Sequence, residues 1–356
     1  MRSAAIPPRA DASPPLILTD NNYMNQKIIL LFGMPRSGTT WIGKIFDSHP
    51  DTLYRHEPDS WGLLNSIPLL PAMRDRSDYA GTVMSFAAQL RHMNATKISA
   101  SLPIFGKRYY TPWRMRLRSM SVSAAKVGAK IFGEFPVPQL IPDAALDTVP
   151  LVWKSIESLG RLGVIVASLE NARAIQILRH PGGYVASVLR GESRHKFTGS
   201  TPSSEDYGVM EMMLATEQAR RRSLTLAYMK ALLPVERLAW RWALFNEKAM
   251  DDTAGNENTL LIKYEDICRA PMAKAKAMFE FCGLGWNPQT EAFIADSTGE
   301  ERAGYYSVMK DPVKAANKWR RDLAEDDVGR IMSIVAETAP GRLYLDEVST
   351  GSGVAC

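Results

Sequence analysis

Apolar and polar positions alternate along the chain in two different rhythms. Short, nearly continuous apolar runs bounded by turn residues occur at Ile28–Phe32, Thr52–Arg55, Leu151–Lys154, Ala174–Leu178 and Thr259–Lys263. Runs of four to eight such residues read as buried strands. Longer stretches with helical spacing separate most of them, and strands that alternate with helices predict an α/β fold, a parallel sheet with helices on both faces. Residues 206–252 read as one or two long helices, with Trp240, Ala243 and Leu244 at core spacing. Ligands of such sheets bind beyond the carboxyl ends of the strands, so the residues that follow each strand are the ones to inspect.

Domain organisation follows from the same pattern. Residues 1–24 are proline-rich and read as a loose leader, 25–345 as a single α/β domain, and 346–356 as a flexible tail. Between about 61 and 150 the rhythm is irregular, which predicts a helical insertion lying over the sheet. No apolar run reaches the roughly 18–20 residues of a membrane span. Together with the lack of a signal-peptide core, this gives the expectation of a cytoplasmic protein, at most peripheral to a membrane. Cys268, Cys282 and Cys356 have no ligand spacing, so neither a disulfide framework nor a zinc site is indicated.

Charge changes the picture in one place. The net charge is +5, yet between Tyr79 and Gly133 there is no Asp or Glu, while Arg91, Lys97, Lys107, Arg108, Arg114, Arg116, Arg118, Lys126 and Lys130 are all basic. A block of one sign attracts anionic partners, here an acidic glycan or a lipid-linked molecule. No nucleic-acid module accompanies it, so nucleic acid is not expected.

The first apolar run leads into Gly33-Met34-Pro35-Arg36-Ser37-Gly38-Thr39-Thr40-Trp41. Set against the nucleotide loop G-x-x-x-x-G-K-[ST], Gly33, Gly38 and Thr40 fit, but Thr39 occupies the lysine position. Small residues that let backbone N–H groups face an anion, followed by a helix start, make a P-loop-like phosphate cradle. Without the lysine the loop is poorly suited to Mg-ATP, and Arg36 offers a forked, charge-assisted contact in its place. A second strand end repeats the theme: Arg179 closes the run Ala174–Leu178, a Pro-Gly-Gly turn follows, and Ser187 lies eight residues further on. Two anion sites on one sheet suit a nucleotide with phosphates at both ends of its ribose.

These two segments resemble the sulfotransferases that use 3′-phosphoadenosine 5′-phosphosulfate (PAPS). Pro35 to Thr40 matches the family's P-[KR]-[ST]-G-[ST]-[ST] loop, and Arg179 with Ser187 matches its 3′-phosphate motif. "HPDTLYRHEPDS" is similar to a pattern of carbohydrate-type members, "LLIKYEDI" to a family strand ending, and "NKWRRDL" to its C-terminal element, here without the glycine-rich R-K-G form. The resemblance implies that Arg36, Ser37, Gly38, Thr39 and Thr40 hold the 5′-phosphosulfate, that Trp41 packs on adenine, and that Arg179 and Ser187 hold the 3′-phosphate. It implies further that the loop before Trp319 and Arg320 closes over the donor.

The reaction it implies is in-line transfer of a sulfuryl group to an acceptor hydroxyl, most simply that of a carbohydrate. No metal is expected. Glu57, matching the family's Glu-Pro element, is the first candidate for general base; His56 is its rival because histidine titrates near neutrality. Lys154, at a strand end, is positioned for the bridging oxygen or the acceptor. His180 is expected to shape its turn, and Glu265 and Asp266 to be structural. Two other readings stay open at this point, a phosphoryl transferase that uses Mg-ATP and a non-catalytic nucleotide-binding relative.

Overall fold

The computed structural model describes residues 27–60, 62–132, 136–193, 201–299 and 312–345. The expected leader 1–24, the tail 346–356 and Cys356 lie outside the described residues. All five expected strands form: β1 (Ile28–Gly33), β2 (Leu53–His56), β3 (Leu151–Ser155), β4 (Ala172–Leu178) and β5 (Thr259–Lys263). They make one parallel sheet in the order β2-β3-β1-β4-β5. Every residue of β1 and β3 is buried, as continuous apolar runs in a sheet covered on both faces require.

Alternation along the strands divides the core in two. Leu30, Phe32 and Trp153 face the helices Arg76–Leu90, Leu162–Ser168, Pro181–Ser193 and Pro234–Asp252. Ile29, Leu31 and Val152 face α1 (Thr39–Asp47) and the helices Pro271–Phe281 and Pro288–Gly299. Trp240, Ala243 and Leu244 are core residues, as their spacing predicts. The 206–252 stretch differs from expectation in its breaks. Asp206, Thr216 and Thr225 each accept a bond from a backbone N–H three residues ahead and so start three short helices, and Pro234 opens the long one.

The 61–150 stretch covers both a face and an edge. Its helix Arg76–Leu90 packs on the helix Leu162–Ser168, and residues 108–110 run beside the unpaired edge of β2, where Arg108 N–H donates to Pro50 O (3.1 Å) and the Tyr109 hydroxyl to Thr52 O (3.2 Å). Covering an edge strand in this way removes an open row of backbone groups. Part of the basic block is spent internally, whereas Lys97, Arg108 and Arg116 are exposed. Arg91 donates to Leu146 O and Val149 O, Lys107 to Asp47 O and His49 O, Arg118 to Ser99 O, and Arg108 pairs with Asp51.

Candidate active site

Parallel register brings the sequence-predicted residues to one edge of the sheet. Leu31 pairs with Lys154 and His56 with Lys154, while Gly33 pairs with Ile177, two residues before Arg179. The loop after β1, the end of β2, the end of β3 and the end of β4 therefore stand side by side at the carboxyl ends, on either side of β1, where the chain first winds one way and later the other.

The loop after β1 is a tight turn. Ser37 N–H donates to Met34 O (3.1 Å), and α1 starts at Thr39. Arg36 and Gly38 both adopt left-handed backbone, with φ of 71° and 80°. For Gly38 the requirement is twofold, because a Cβ there would lie 2.2 Å from the Tyr264 ring. Ser37 and Thr39 are buried, and the first turn of α1 directs its N–H groups toward the sheet's carboxyl edge, where an anion is favoured.

Arg36 and Arg179 tie the two expected anion motifs together. Arg36 Nε donates to Ser187 Oγ (3.0 Å), and Arg179 Nη1 donates to the Arg36 carbonyl (2.5 Å). The second Arg179 amino group reaches Ala315 O (3.1 Å), and its guanidinium lies over the Tyr264 ring, 5.2 Å from the centroid. Arg179 Nε is buried with no hydrogen-bond partner among the described residues. Gly183 keeps the space beside it open, since a Cβ at that position would approach this nitrogen to 2.9 Å.

Trp319 and Arg320 come back to the same turn. Trp319 stacks on His180 at 4.2 Å and 13°, Arg320 lies over Trp319 at 4.7 Å, and Asp322 pairs with Arg190 of the helix Pro181–Ser193. Residues 300–311, which precede them, are outside the described residues. His180 does shape the turn: its Nδ1 accepts from Gly182 N–H (3.1 Å), its own N–H donates to Glu265 (3.0 Å), and burial pushes its pKa down to about 3, so the ring is neutral. Glu265 also accepts from the Tyr344 hydroxyl (2.9 Å), the structural part expected of it.

Trp41 is where geometry departs from expectation. It is 7% exposed, its Nε1 donates to Ser297 Oγ (3.0 Å), and it packs among the core residues of the α1 face. Helical spacing carries it around α1 away from the anion cradle, and Tyr264 stands between them, edge-on to Trp41 at 6.3 Å and against Gly38. Tyr264 is the residue that sequence reasoning missed. It was visible beside Glu265 in "LLIKYEDI", but its contact with Gly38 spans most of the chain.

The second half of the site gathers Glu57, Lys154 and His56. Glu57 follows β2 with a left-handed φ of 50°, held by its N–H donating to Lys154 O (2.8 Å). Its carboxylate forms an ion pair with Lys154, whose side chain is fully buried. Burial lowers the Lys154 pKa, and the attraction of Glu57 opposes that shift. His56 Nδ1 is 2.9 Å from the Tyr54 hydroxyl and its Nε2 is 3.7 Å from Glu57. Burial first, then Lys154 and Lys44, push His56 down to about 2, so it stays neutral.

Asp59, also missed, fixes this loop. It is 1% exposed and accepts from Trp153 Nε1 (3.0 Å), Ser155 Oγ (2.5 Å) and Ser158 Oγ (2.5 Å). The short stretch "HEPDS" thus carries an outward carboxylate at Glu57 and an inward one at Asp59. A left-handed residue held at Glu57 is backbone strain that its surroundings must sustain, which is common where side chains are aimed for a task.

The model of the Sulfotransferase family matches residues 29–288. Carbohydrate sulfotransferase 6 of Homo sapiens is 21% identical over 345 residues, covering 86% of this chain and 78% of the relative. Carbohydrate sulfotransferase 7 of Rattus norvegicus is 24% identical over 346 residues, covering 83% and 69%. Among solved structures, the sulfotransferase domain from the curacin biosynthetic pathway superposes with a TM-score of 0.43 at 17% identity, over 87% of this chain and 98% of that domain.

These relatives also correct the cytoplasmic expectation, because carbohydrate sulfotransferases of this set are Golgi membrane-resident enzymes. No helix among the described residues is long and apolar enough to cross a membrane, but that bounds only those helices and carries no compartment. The fold, the loop after β1 and a family match over most of the chain lead to one statement: this chain belongs to the sulfotransferase family and is a sulfotransferase.

Proposed function

We propose that the protein transfers a sulfuryl group from PAPS to a hydroxyl of a carbohydrate or glycan-containing acceptor, with Glu57 as general base. The observation that carries the donor is the joining of two anion-binding segments at one sheet edge, with Arg36 on Ser187 and Arg179 on the Arg36 carbonyl. The residues present fit a ligand with two anionic ends. Arg179 Nε is buried and lacks a partner among the described residues, and Gly38 and Gly183 keep side chains out of the cradle. Arg36, Ser37, Gly38, Thr39 and Thr40 would hold the 5′ end and Arg179 with Ser187 the 3′-phosphate, with Trp319 and Arg320 bracing the turn. Bound PAPS supplies a sulfuryl group already joined to a good leaving phosphate.

The acid–base reading rests on tautomers. Tyr54 is fully buried and its phenol is held protonated, well above its usual range. Its proton has His56 Nδ1 as acceptor, which leaves the imidazole hydrogen on Nε2, facing Glu57. A neutral ring whose Nδ1 lone pair is taken by the Tyr54 hydroxyl and whose Nε2 carries the hydrogen is a poor base, so the proton of the acceptor hydroxyl goes to Glu57. Lys154 pairs with Glu57 and keeps it aimed, and as a three-donor ammonium it retains capacity for negative charge that gathers at the leaving oxygen. What supports a carbohydrate acceptor is the kinship with the carbohydrate sulfotransferases.

The donor assignment is tested by calorimetric titration of 3′-phosphoadenosine 5′-phosphate (PAP) into wild type and Arg179→Ala. Removing a charged hydrogen-bond donor is expected to weaken PAP binding by about 1.5–3 kcal/mol. Unchanged affinity would take Arg179 out of the site.

A further inference from the structure

Beside the edge of β2, residues from both faces of the strand and from residues 99–122 line a partly open cavity of about 40 Å³, among them Asp47, Tyr54, Arg55, Lys107, Tyr109 and Arg118. By the measure that one water needs about 10–15 Å³ of such space, it has room for roughly three water-sized groups. Its walls are unusual in charge. Lys44 and Lys107 share one carboxylate, Asp47, at 2.7 and 3.3 Å. Arg55 is 1% exposed and its guanidinium bonds go to neutral acceptors, the carbonyls of Leu90, Tyr54 and Arg91 and the Gln139 amide oxygen. Arg118 gives one amino group to Ser99 O at 2.6 Å, while its other amino group, Nη1, is buried with no hydrogen-bond partner among the described residues.

Among the described residues, two cations thus share Asp47, while Arg55 and Arg118 line the same cavity with no carboxylate bonded to either. Burying unpaired charge costs several kcal/mol per ion unless a counter-charge is present. The tyrosines do not supply it, since Tyr109 and Tyr110 donate their hydroxyl protons to Thr52 O and Gln139 O. Burial pushes Tyr109 further from ionisation. The same strain is visible in the cations: burial lowers Arg55 to about 10 and Lys107 below its usual value, with Arg118 adding repulsion to both.

The geometry points to a small inorganic anion of halide size bound in this cavity, held by Arg118 Nη1 and the Lys107 and Arg55 charges, as a built-in counter-ion that locks residues 99–118 onto the edge of β2. This site is separate from the anion cradle at Arg36 and Arg179, and it accounts for part of the basic block that the donor site does not use. Lys107 and Arg118 lie in that block; Arg55 and Lys44 come from β2 and α1.

Thermal unfolding of the full chain in sodium chloride and in sodium gluconate at equal ionic strength tests it. Gluconate is too large to enter, and equal ionic strength removes general screening. The unfolding midpoint is expected to rise with the logarithm of chloride concentration, as for any ligand of the native state, and not with gluconate. Arg118→Met is expected to abolish that difference while PAP still binds with wild-type affinity. Equal midpoints in the two salts, or an Arg118→Met protein that is more stable than wild type in both, would mean that the cavity holds only water and that the cations merely repel one another. Should the variant fail to fold, crystals of wild type grown in sodium bromide decide: an anomalous peak beside Arg118 Nη1 is expected, and its absence overturns the site.

Discussion

In a Glu57→Gln variant, sulfuryl transfer is expected to fall by about 10²–10⁴-fold, the usual share of a positioned general base, while PAP affinity stays that of wild type. Glutamine keeps the shape of the side chain but accepts no proton at neutral pH. The comparison that gives this result meaning is His56→Gln. His56 is neutral, pushed down to about 2, and lies between Tyr54 and Glu57, so its loss is expected to cost far less turnover than the loss of Glu57. Steady-state rates with a radiolabelled sulfuryl donor check both. A fully active Glu57→Gln protein paired with an inactive His56→Gln protein would reverse the assignment.

Asp59→Ala is the second large effect, and it acts on stability. Three donors, Trp153 Nε1 and the hydroxyls of Ser155 and Ser158, end on this buried carboxylate. Hydrogen bonds to a charged group are worth about 1.5–3 kcal/mol each, and the two serine hydroxyls can turn to other acceptors, so a net loss of about 2–4 kcal/mol is expected. Denaturant unfolding followed by tryptophan fluorescence measures it, with Trp153 itself at the affected spot. A loss under about 0.5 kcal/mol, the range of ordinary surface substitutions, would show that Asp59 does not anchor the Glu57 loop.

The strands were legible because a strand buried on both faces must be apolar at nearly every position, and such runs stand out even in one sequence. Their ends shifted by a residue or two: β4 begins at Ala172 and β1 runs on to Gly33. Local chemistry was equally readable where it is carried by neighbours in sequence, as in the loop 33–40 and the pair Arg179 and Ser187. What a single sequence does not encode locally is which distant side chain closes a contact. Tyr264 sits against Gly38 from the far end of β5. Trp41, one residue beyond Thr40, turned out to belong to the core because α1 rotates it toward the helix Pro288–Gly299.

Context beyond residue type matters in two places. Charge counting along 79–133 registers sign but not burial, and Arg91, Lys107 and one amino group of Arg118 donate to carbonyls inside the protein. Absence of a long apolar run was read as a compartment, which is set by features other than the span of any one helix. Helix breaks within 206–252 were signalled by Asp206, Thr216, Thr225 and Pro234, but continuous apolar periodicity across them outweighed single caps.

A donor held by this site is recognised at both ends, by the Gly38 cradle and by Arg179 with Ser187. The most direct test of that recognition is calorimetric titration of the wild-type chain with PAP, with adenosine 5′-phosphate and with Mg-ATP. PAP is expected to bind at least about tenfold more tightly than adenosine 5′-phosphate, the margin of one charged hydrogen bond to the 3′-phosphate, and without magnesium. Equal affinity for PAP and adenosine 5′-phosphate, or tight binding reserved to Mg-ATP, would contradict it.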